Sequence, residues 1–85
     1  MELRTVIVED RQPDAQRLEL LLKQAFAGDE VVCRTFASGD ELLCSFCAGE
    51  QKVVFLDICM EGTNGIETAR QLRAADPDLL IVFVT

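Results

Sequence analysis

With 85 residues, 49% of them hydrophobic, the chain has room for one small domain with its own core. A formal net charge of -7 argues against direct binding to nucleic acid, which requires a basic surface, and against binding to an anionic membrane. No segment has the length and apolarity of a membrane span, and the N-terminus lacks a signal-peptide pattern. The sequence therefore predicts a cytoplasmic protein whose four cysteines stay reduced.

The first half of the chain has the pattern of two strand–helix units. Residues 3–8 form an apolar run typical of a strand, and apolar residues at helical spacing follow it. Residues 31–36 predict a second strand. Ser38 and Glu41 have the spacing of a capping box, which predicts the start of a second helix that ends at Gly49.

The second half repeats this alternation. Residues 53–56 predict a third strand that ends at Asp57, and residues 65–75 predict a third helix. Residues 79–85 predict a fourth strand, so apolar that we expect cover on both of its faces. Strands that alternate with helices form parallel sheets through right-handed crossovers, so the order predicts an α/β fold. The residues expected to face inward on the third helix are Ile66, Ala69 and Leu72.

Acidic residues follow two of these strands. Glu9 and Asp10 come directly after the first strand, and Asp57 comes after the third. Parallel strands end at the same edge of a sheet, where α/β proteins bind ligands, so we expect the three carboxylates to converge. Like charges at close range require a cation or a chemical role. Acidic residues are also common in solvated loops, and only the joint placement favours a site.

This arrangement indicates phosphoryl transfer assisted by Mg²⁺, a hard cation that takes oxygen ligands. With Glu9 and Asp10 holding the ion, directly or through water, Asp57 can attack phosphorus as a carboxylate nucleophile. The backbone carbonyl of Cys59 can complete the ligand set. Thr85, at the end of the fourth strand, offers a hydroxyl to a phosphoryl oxygen.

Taken together, these motifs resemble the receiver domain of bacterial two-component response regulators. The residues around Asp57 are similar in type to those in receivers of LytTR-type regulators. The likeness extends over the whole chain. It implies one receiver domain over residues 1–85 with the flavodoxin-like fold, a three-layer α/β sandwich around a parallel sheet. The domain is expected to be incomplete, a (βα)3β unit without the last strand and helices. The matching stretches are residues 6–10, 53–60, 65–67 and 81–85.

The resemblance implies a role for each candidate residue. Asp57 matches the phosphoacceptor, and Glu9 and Asp10 match the acidic pair that holds Mg²⁺. Cys59 matches the residue whose backbone carbonyl binds the metal, and Thr85 matches the switch hydroxyl. Family members accept the phosphoryl group from a sensor histidine kinase and signal by a conformational change to an output domain, here expected to bind DNA and regulate transcription. They are signalling phosphoacceptors rather than enzymes.

Three departures from the family pattern leave alternatives open. Glu9 replaces the commoner Asp, Glu61 stands where proline is frequent, and a lysine-bearing fifth strand is absent. The missing lysine favours a pseudo-receiver that is never phosphorylated and serves only as a protein-interaction module. An apolar fourth strand at the sheet edge predicts self-association. A phosphatase of similar topology is disfavoured, because such enzymes place a second Asp where Cys59 stands.

Cys44 and Cys47 form a CxxC motif within the predicted second helix. A redox motif is expected at a helix start that directly follows a strand, which is not the position here. A zinc site needs further ligands, and the chain has no histidine. Structural thiols are therefore the favoured interpretation.

Overall fold

The computed structural model describes residues 2–57 and 65–84. Strands and helices alternate along these residues, which confirms the predicted α/β class. All strand pairs are parallel, and the order across the sheet is β2-β1-β3-β4. None of the helices in this part of the chain is long and apolar enough to cross a bilayer. The elements are β1 (Glu2–Val8), α1 (Gln12–Ala25), β2 (Glu30–Phe36), α2 (Gly39–Ser45), β3 (Val53–Asp57), α3 (Gly65–Ala75) and β4 (Leu80–Val84).

Helices cover both faces of the sheet, as expected for a three-layer sandwich. On one face, Leu42 of α2 and Leu72 of α3 pack against alternate residues of β1 and β3. On the other face, Ala15 and Leu22 of α1 pack against Ile7. Each large aliphatic side chain buried in this way contributes about 1.5–3 kcal/mol relative to an exposed one. The cluster between the sheet and α2 and α3 comprises Val6, Val8, Leu42, Val54, Leu56, Leu72 and Leu79.

The register of the central strands decides where their loops emerge. Val8 of β1 pairs with Leu56 of β3, so the residues that follow them, Glu9 and Asp57, lie at the same level of the sheet. The backbone N–H of Glu9 donates to the carbonyl of Phe36 at 3.0 Å, which extends the pairing of β1 with β2 past the end of the strand. The carboxyl edge of the sheet therefore presents the acidic residues side by side.

Helix α2 begins at the capping box that the sequence predicts. The hydroxyl of Ser38 accepts the backbone N–H of Glu41 at 3.2 Å. In return, the carboxylate of Glu41 accepts the backbone N–H of Ala37 at 3.0 Å. The two side chains satisfy donors that have no partner within the helix, so they fix its first turn.

The end of α2 differs from the prediction. The helix ends at Ser45, so Cys47 lies beyond it rather than inside it. Phe46 takes extended backbone angles, φ -72° and ψ 132°, and packs its half-buried ring against the core cluster. Gly49, predicted to end the helix, lies instead in the turn that follows, with φ 85°. Glycine adopts this left-handed conformation without steric cost.

Helix α3 spans the predicted residues but buries a different stripe. Leu72 is buried and Ala69 is partly buried, as predicted, whereas Ile66 is 64% exposed and its assignment to the inward face is wrong. The buried residues besides Leu72 are Gly65 and Thr68, at intervals that follow the helical period. Thr68 is buried because α3 packs closely against Gly39 of α2, an approach that hydropathy alone does not indicate.

Strand β4 lies at one edge of the described sheet and pairs there with β3. Leu79, just before the strand, is buried, but Leu80 is 60% exposed and Phe83 is 48% exposed. The expectation that both faces of this strand are covered is therefore not met within the described residues. An edge strand has a neighbouring strand on one side, so fewer side chains surround it than surround a central strand.

Candidate acidic site

Three carboxylates gather at the carboxyl edge of the sheet. Each of Glu9, Asp10 and Asp57 offers an oxygen atom, and these atoms all lie within 4.8 Å of one another. The convergence follows from the parallel pairing of β1 with β3, as the sequence predicts. Two other candidate residues, Cys59 and Thr85, lie outside the described residues, so their predicted roles stay predictions.

The entrance of helix α1 helps to orient Glu9. The backbone N–H of Arg11, the residue just before the helix, donates to Oε1 of Glu9 at 3.1 Å. The side chain of Arg11 makes no capping bond of its own. Sequence reasoning missed this contact; a helix start two residues after an acidic strand end is the pattern that could have indicated it. One oxygen of Glu9 is thereby held toward a helix N-terminus, which favours negative charge.

The site raises the pKa of Glu9 to about 7. Burial is the main cause, because it disfavours the charged form of the carboxyl group. The neighbouring carboxyl groups of Asp10 and Asp57 raise the pKa further, while the hydrogen bond from the backbone N–H of Arg11 lowers it. Without a cation bound among the carboxylates, Glu9 therefore retains a proton close to neutral pH.

The donor set fits a hard divalent cation. All three side chains supply carboxylate oxygens, the ligands that Mg²⁺ prefers. Glu9 and Asp57 are half-buried, whereas Asp10 is exposed, so the cluster opens to solvent and leaves room for metal-bound water. The proton that Glu9 retains marks a place where positive charge is favoured. Within residues 2–57 and 65–84, no second cluster of this kind occurs.

The sequence matches a known family of signalling domains. The profile described as "Response regulator receiver domain" matches residues 5–85. The sensory transduction protein LytT of Oceanobacillus iheyensis is 37% identical over 87 residues, a match that covers 100% of this chain and 35% of the relative. The DNA-binding transcriptional regulator NtrC of Salmonella typhimurium is 29% identical over 72 residues, covering 85% of this chain and 15% of NtrC. The chain thus spans a minor part of both relatives.

Solved structures agree with this match. A chain from the crystal structure of the histidine kinase ThkA in complex with the response regulator protein TrrA has a TM-score of 0.78 and 30% identity, over 98% of this chain and 68% of that chain. The response regulator StyR has a TM-score of 0.77 and 31% identity, over 98% of this chain and 40% of that chain. Given the profile match over residues 5–85 and this structural likeness, the chain belongs to the response regulator receiver domain family.

Proposed function

We propose that this chain is the phosphoacceptor domain of a two-component response regulator and that Asp57 accepts a phosphoryl group from a sensor histidine kinase. The observation that carries the proposal is the gathering of Glu9, Asp10 and Asp57, whose oxygens lie within 4.8 Å of one another. They lie at the sheet edge where α/β proteins bind their ligands. The likeness to a structure of a histidine kinase with a response regulator protein supports the choice of partner.

In the proposed reaction, an oxygen of Asp57 attacks the phosphorus of a phosphohistidine. The new P–O bond forms as the P–N bond breaks, and the imidazole departs and takes up a proton. Asp57 is the last residue of β3, so its backbone is held by the sheet, and its carboxyl group lies beside those of Glu9 and Asp10. Positioning of this kind is the main contribution a protein makes to phosphoryl transfer.

The proposed cofactor is Mg²⁺, which when bound neutralises the carboxylates and the phosphoryl oxygens. Glu9 and Asp10 are the side chains proposed to hold it, together with Asp57. Glu9 gives up its proton as it takes this role, because a nearby cation lowers the pKa of a carboxyl group. The backbone carbonyl of Cys59 is the proposed fourth ligand, and the hydroxyl of Thr85 is proposed to move toward the phosphorylated aspartate.

Phosphorylation of Asp57 is further proposed to shift a conformational equilibrium that a DNA-binding output domain reads. NtrC is described as a DNA-binding transcriptional regulator, and the match covers 15% of its length, which supports an output domain elsewhere in such proteins. The net charge of -7 opposes DNA binding by this chain itself. On this proposal residues 1–85 form part of a single cytoplasmic signalling domain that accepts a phosphoryl group without turning over a substrate.

Self-association of the 85-residue chain is a separate part of the proposal. Its support is the exposure of Leu80 and Phe83, 60% and 48%, on an edge strand. Apolar side chains beside unpaired backbone groups favour association. Light scattering on the purified chain tests this, and a monodisperse monomer with a cooperative melt would contradict it.

Phosphorylation is tested with a small acyl phosphate and Mg²⁺, followed by intact mass measurement. We expect the mass to rise by one phosphoryl group, with no gain in Asp57→Asn. Asp78→Asn is the matched control, because this exposed aspartate follows α3, away from the acidic cluster. It should be phosphorylated like the parent. A gain retained in Asp57→Asn would exclude Asp57 as the acceptor. No gain in the parent would favour the protein-interaction module.

A further inference from the structure

The two cysteines of the CxxC motif are both exposed. Cys44 lies in the last turn of α2, and Cys47 lies just beyond the helix. Free cysteine is among the residues most often buried in proteins, where it acts as a small apolar side chain. Two neighbouring exposed thiols therefore do not fit the structural role that the sequence favoured for them.

Two residues separate the two cysteines, and the helix ends between them. Phe46 has extended angles, so the chain turns away from the helix axis before Cys47. The carbonyl of Cys47 then accepts the backbone N–H of Glu50 at 3.2 Å and starts a turn. With two residues between the cysteines, little chain entropy is lost when the thiols are joined, and the second thiol reacts at high effective concentration.

Contacts on both sides hold this segment on the surface. The ring of Phe46, between the two cysteines, packs against the cluster that contains Leu42. After Cys47, the backbone N–H of Gly49 donates to the buried carboxylate of Asp76 at 3.0 Å. The pair is therefore presented at a defined place in the fold rather than on a loose loop.

Cys33 provides an internal comparison within the described chain. It is half-buried on β2, and burial is the main reason that the pKa of its thiol is raised, although the neighbouring Thr5 hydroxyl lowers it. The thiolate is the reactive form of cysteine, so Cys33 is expected to react slowly.

We propose that Cys44 and Cys47 form a redox modification site, oxidised to an intramolecular disulfide by low-molecular-weight disulfides. One thiolate attacks a sulfur of the small disulfide, which releases one small thiol and leaves a mixed disulfide on the protein. The second thiolate attacks the protein sulfur of that bond and releases the second small thiol. Two protons leave the cysteines, the small disulfide is reduced to two thiols, and an S–S bond joins the cysteines.

The site is separate from the acidic cluster. Helix α2 starts after the carboxyl end of β2 and leads back to the amino end of β3, so its last turn lies toward the amino edge of the parallel sheet. The carboxylates of Glu9, Asp10 and Asp57 lie at the carboxyl edge. Oxidation is therefore expected to leave metal binding at the acidic cluster unchanged, and the proposal does not rest on phosphorylation of Asp57.

The test exposes the folded protein to oxidised glutathione, followed by intact mass measurement and peptide mapping. We expect a loss of two hydrogen atoms, a linked peptide that joins Cys44 to Cys47, and no glutathione on Cys33. In Cys44→Ser the reaction should stop at a mixed disulfide on Cys47, and in Cys47→Ser it should stop on Cys44.

A further variant keeps the test decisive if a serine at either position impairs folding. Cys33→Ser combined with Cys59→Ser retains both thiols of the proposed site and should still lose two hydrogen atoms. Loss of bridging in this variant would overturn the proposal. Two glutathione adducts without a bridge, a bridge from Cys33 or Cys59, or no reaction in the parent would overturn it as well.

Discussion

Carboxylate oxygens of Glu9 and Asp57 lie within 4.8 Å of each other across the ends of β1 and β3. Their strands bring them together because Val8 pairs with Leu56 in the parallel register. Two carboxyl groups this close repel each other when both are ionised, and the repulsion is relieved when one of them carries a proton. Burial and the acidic neighbours raise the pKa of Glu9 to about 7, so Glu9 holds this proton. A cation that occupies the site competes with that proton.

The metal-free protein should lose stability as the pH rises. The pKa of Glu9 moves from an ordinary value of 4.5 to about 7 in the folded state, so the folded protein holds this proton more tightly than the unfolded chain. The resulting stabilisation is complete below the unfolded pKa and is lost as the pH rises through the folded pKa. Urea unfolding followed by circular dichroism in chelator, at pH values on either side of this range, measures the change.

Glu9→Gln is the control for this pH effect. Because an amide does not ionise, the variant should lose less stability than the parent over the same pH range. Added Mg²⁺ should also reduce the loss in the parent, since the cation favours ionised Glu9. Equal pH dependence in the parent and the variant would contradict the assignment of the effect to Glu9.

Removal of one carboxylate should weaken Mg²⁺ binding. A charged contact contributes roughly 1.5–3 kcal/mol, so Asp10→Asn is expected to raise the dissociation constant by about tenfold or more. Asp10 is exposed, which makes a folding defect a poor explanation for the loss. Isothermal titration calorimetry measures the affinity, with Asp78→Asn as the matched surface control. An unchanged affinity in Asp10→Asn would exclude this residue as a ligand.

Gly39→Ala should destabilise the contact between α2 and α3. A Cβ atom on Gly39 would lie 2.0 Å from Oγ1 of Thr68, a fully buried side chain. Overpacking of this kind costs about 1–3 kcal/mol in the free energy of unfolding. Gly28→Ala is the matched control, because nothing lies within 4 Å of a Cβ atom built there. Its effect should stay within about 0.5 kcal/mol.

A double variant distinguishes this clash from a general loss of helix packing. Thr68→Ala removes the hydroxyl and methyl groups closest to the added Cβ atom. The double variant Gly39→Ala, Thr68→Ala should therefore lose less free energy of unfolding than the sum of the two single variants. Energetic effects of residues in contact are in general not additive. If urea unfolding shows that the two changes in the free energy of unfolding are strictly additive, the effect of Gly39→Ala does not arise from its contact with Thr68.

Ser38→Ala should remove the cap of α2. The variant loses the bond from the backbone N–H of Glu41 to the hydroxyl of Ser38, at 3.2 Å, and caps of this kind contribute about 1 kcal/mol. Ser45→Ala is a matched serine control, because its hydroxyl makes only long contacts of 3.5 Å near the end of the same helix. Thermal melts should show a clear drop for the first variant and little change for the second.

Much of the fold could be predicted because it depends on neighbours in sequence. Apolar runs marked the strands, and the spacing of Ser38 and Glu41 marked the start of α2. The parallel order then implied that Glu9, Asp10 and Asp57 meet at one edge, which needs no knowledge of side-chain packing. The roles of Cys59 and Thr85 stay predictions, since both lie outside the described residues.

What the sequence determined by itself was therefore the alternation of elements and the acidic ends of two strands, because periodicity and capping are local properties. Tertiary structure alone decided which surfaces meet. It exposes Ile66 and buries Thr68, since α3 approaches α2 where Thr68 meets Gly39. It also ends α2 at Ser45, where Phe46 leaves the helix to join the core. Burial depends on the approach of distant segments, and local patterns do not encode that approach.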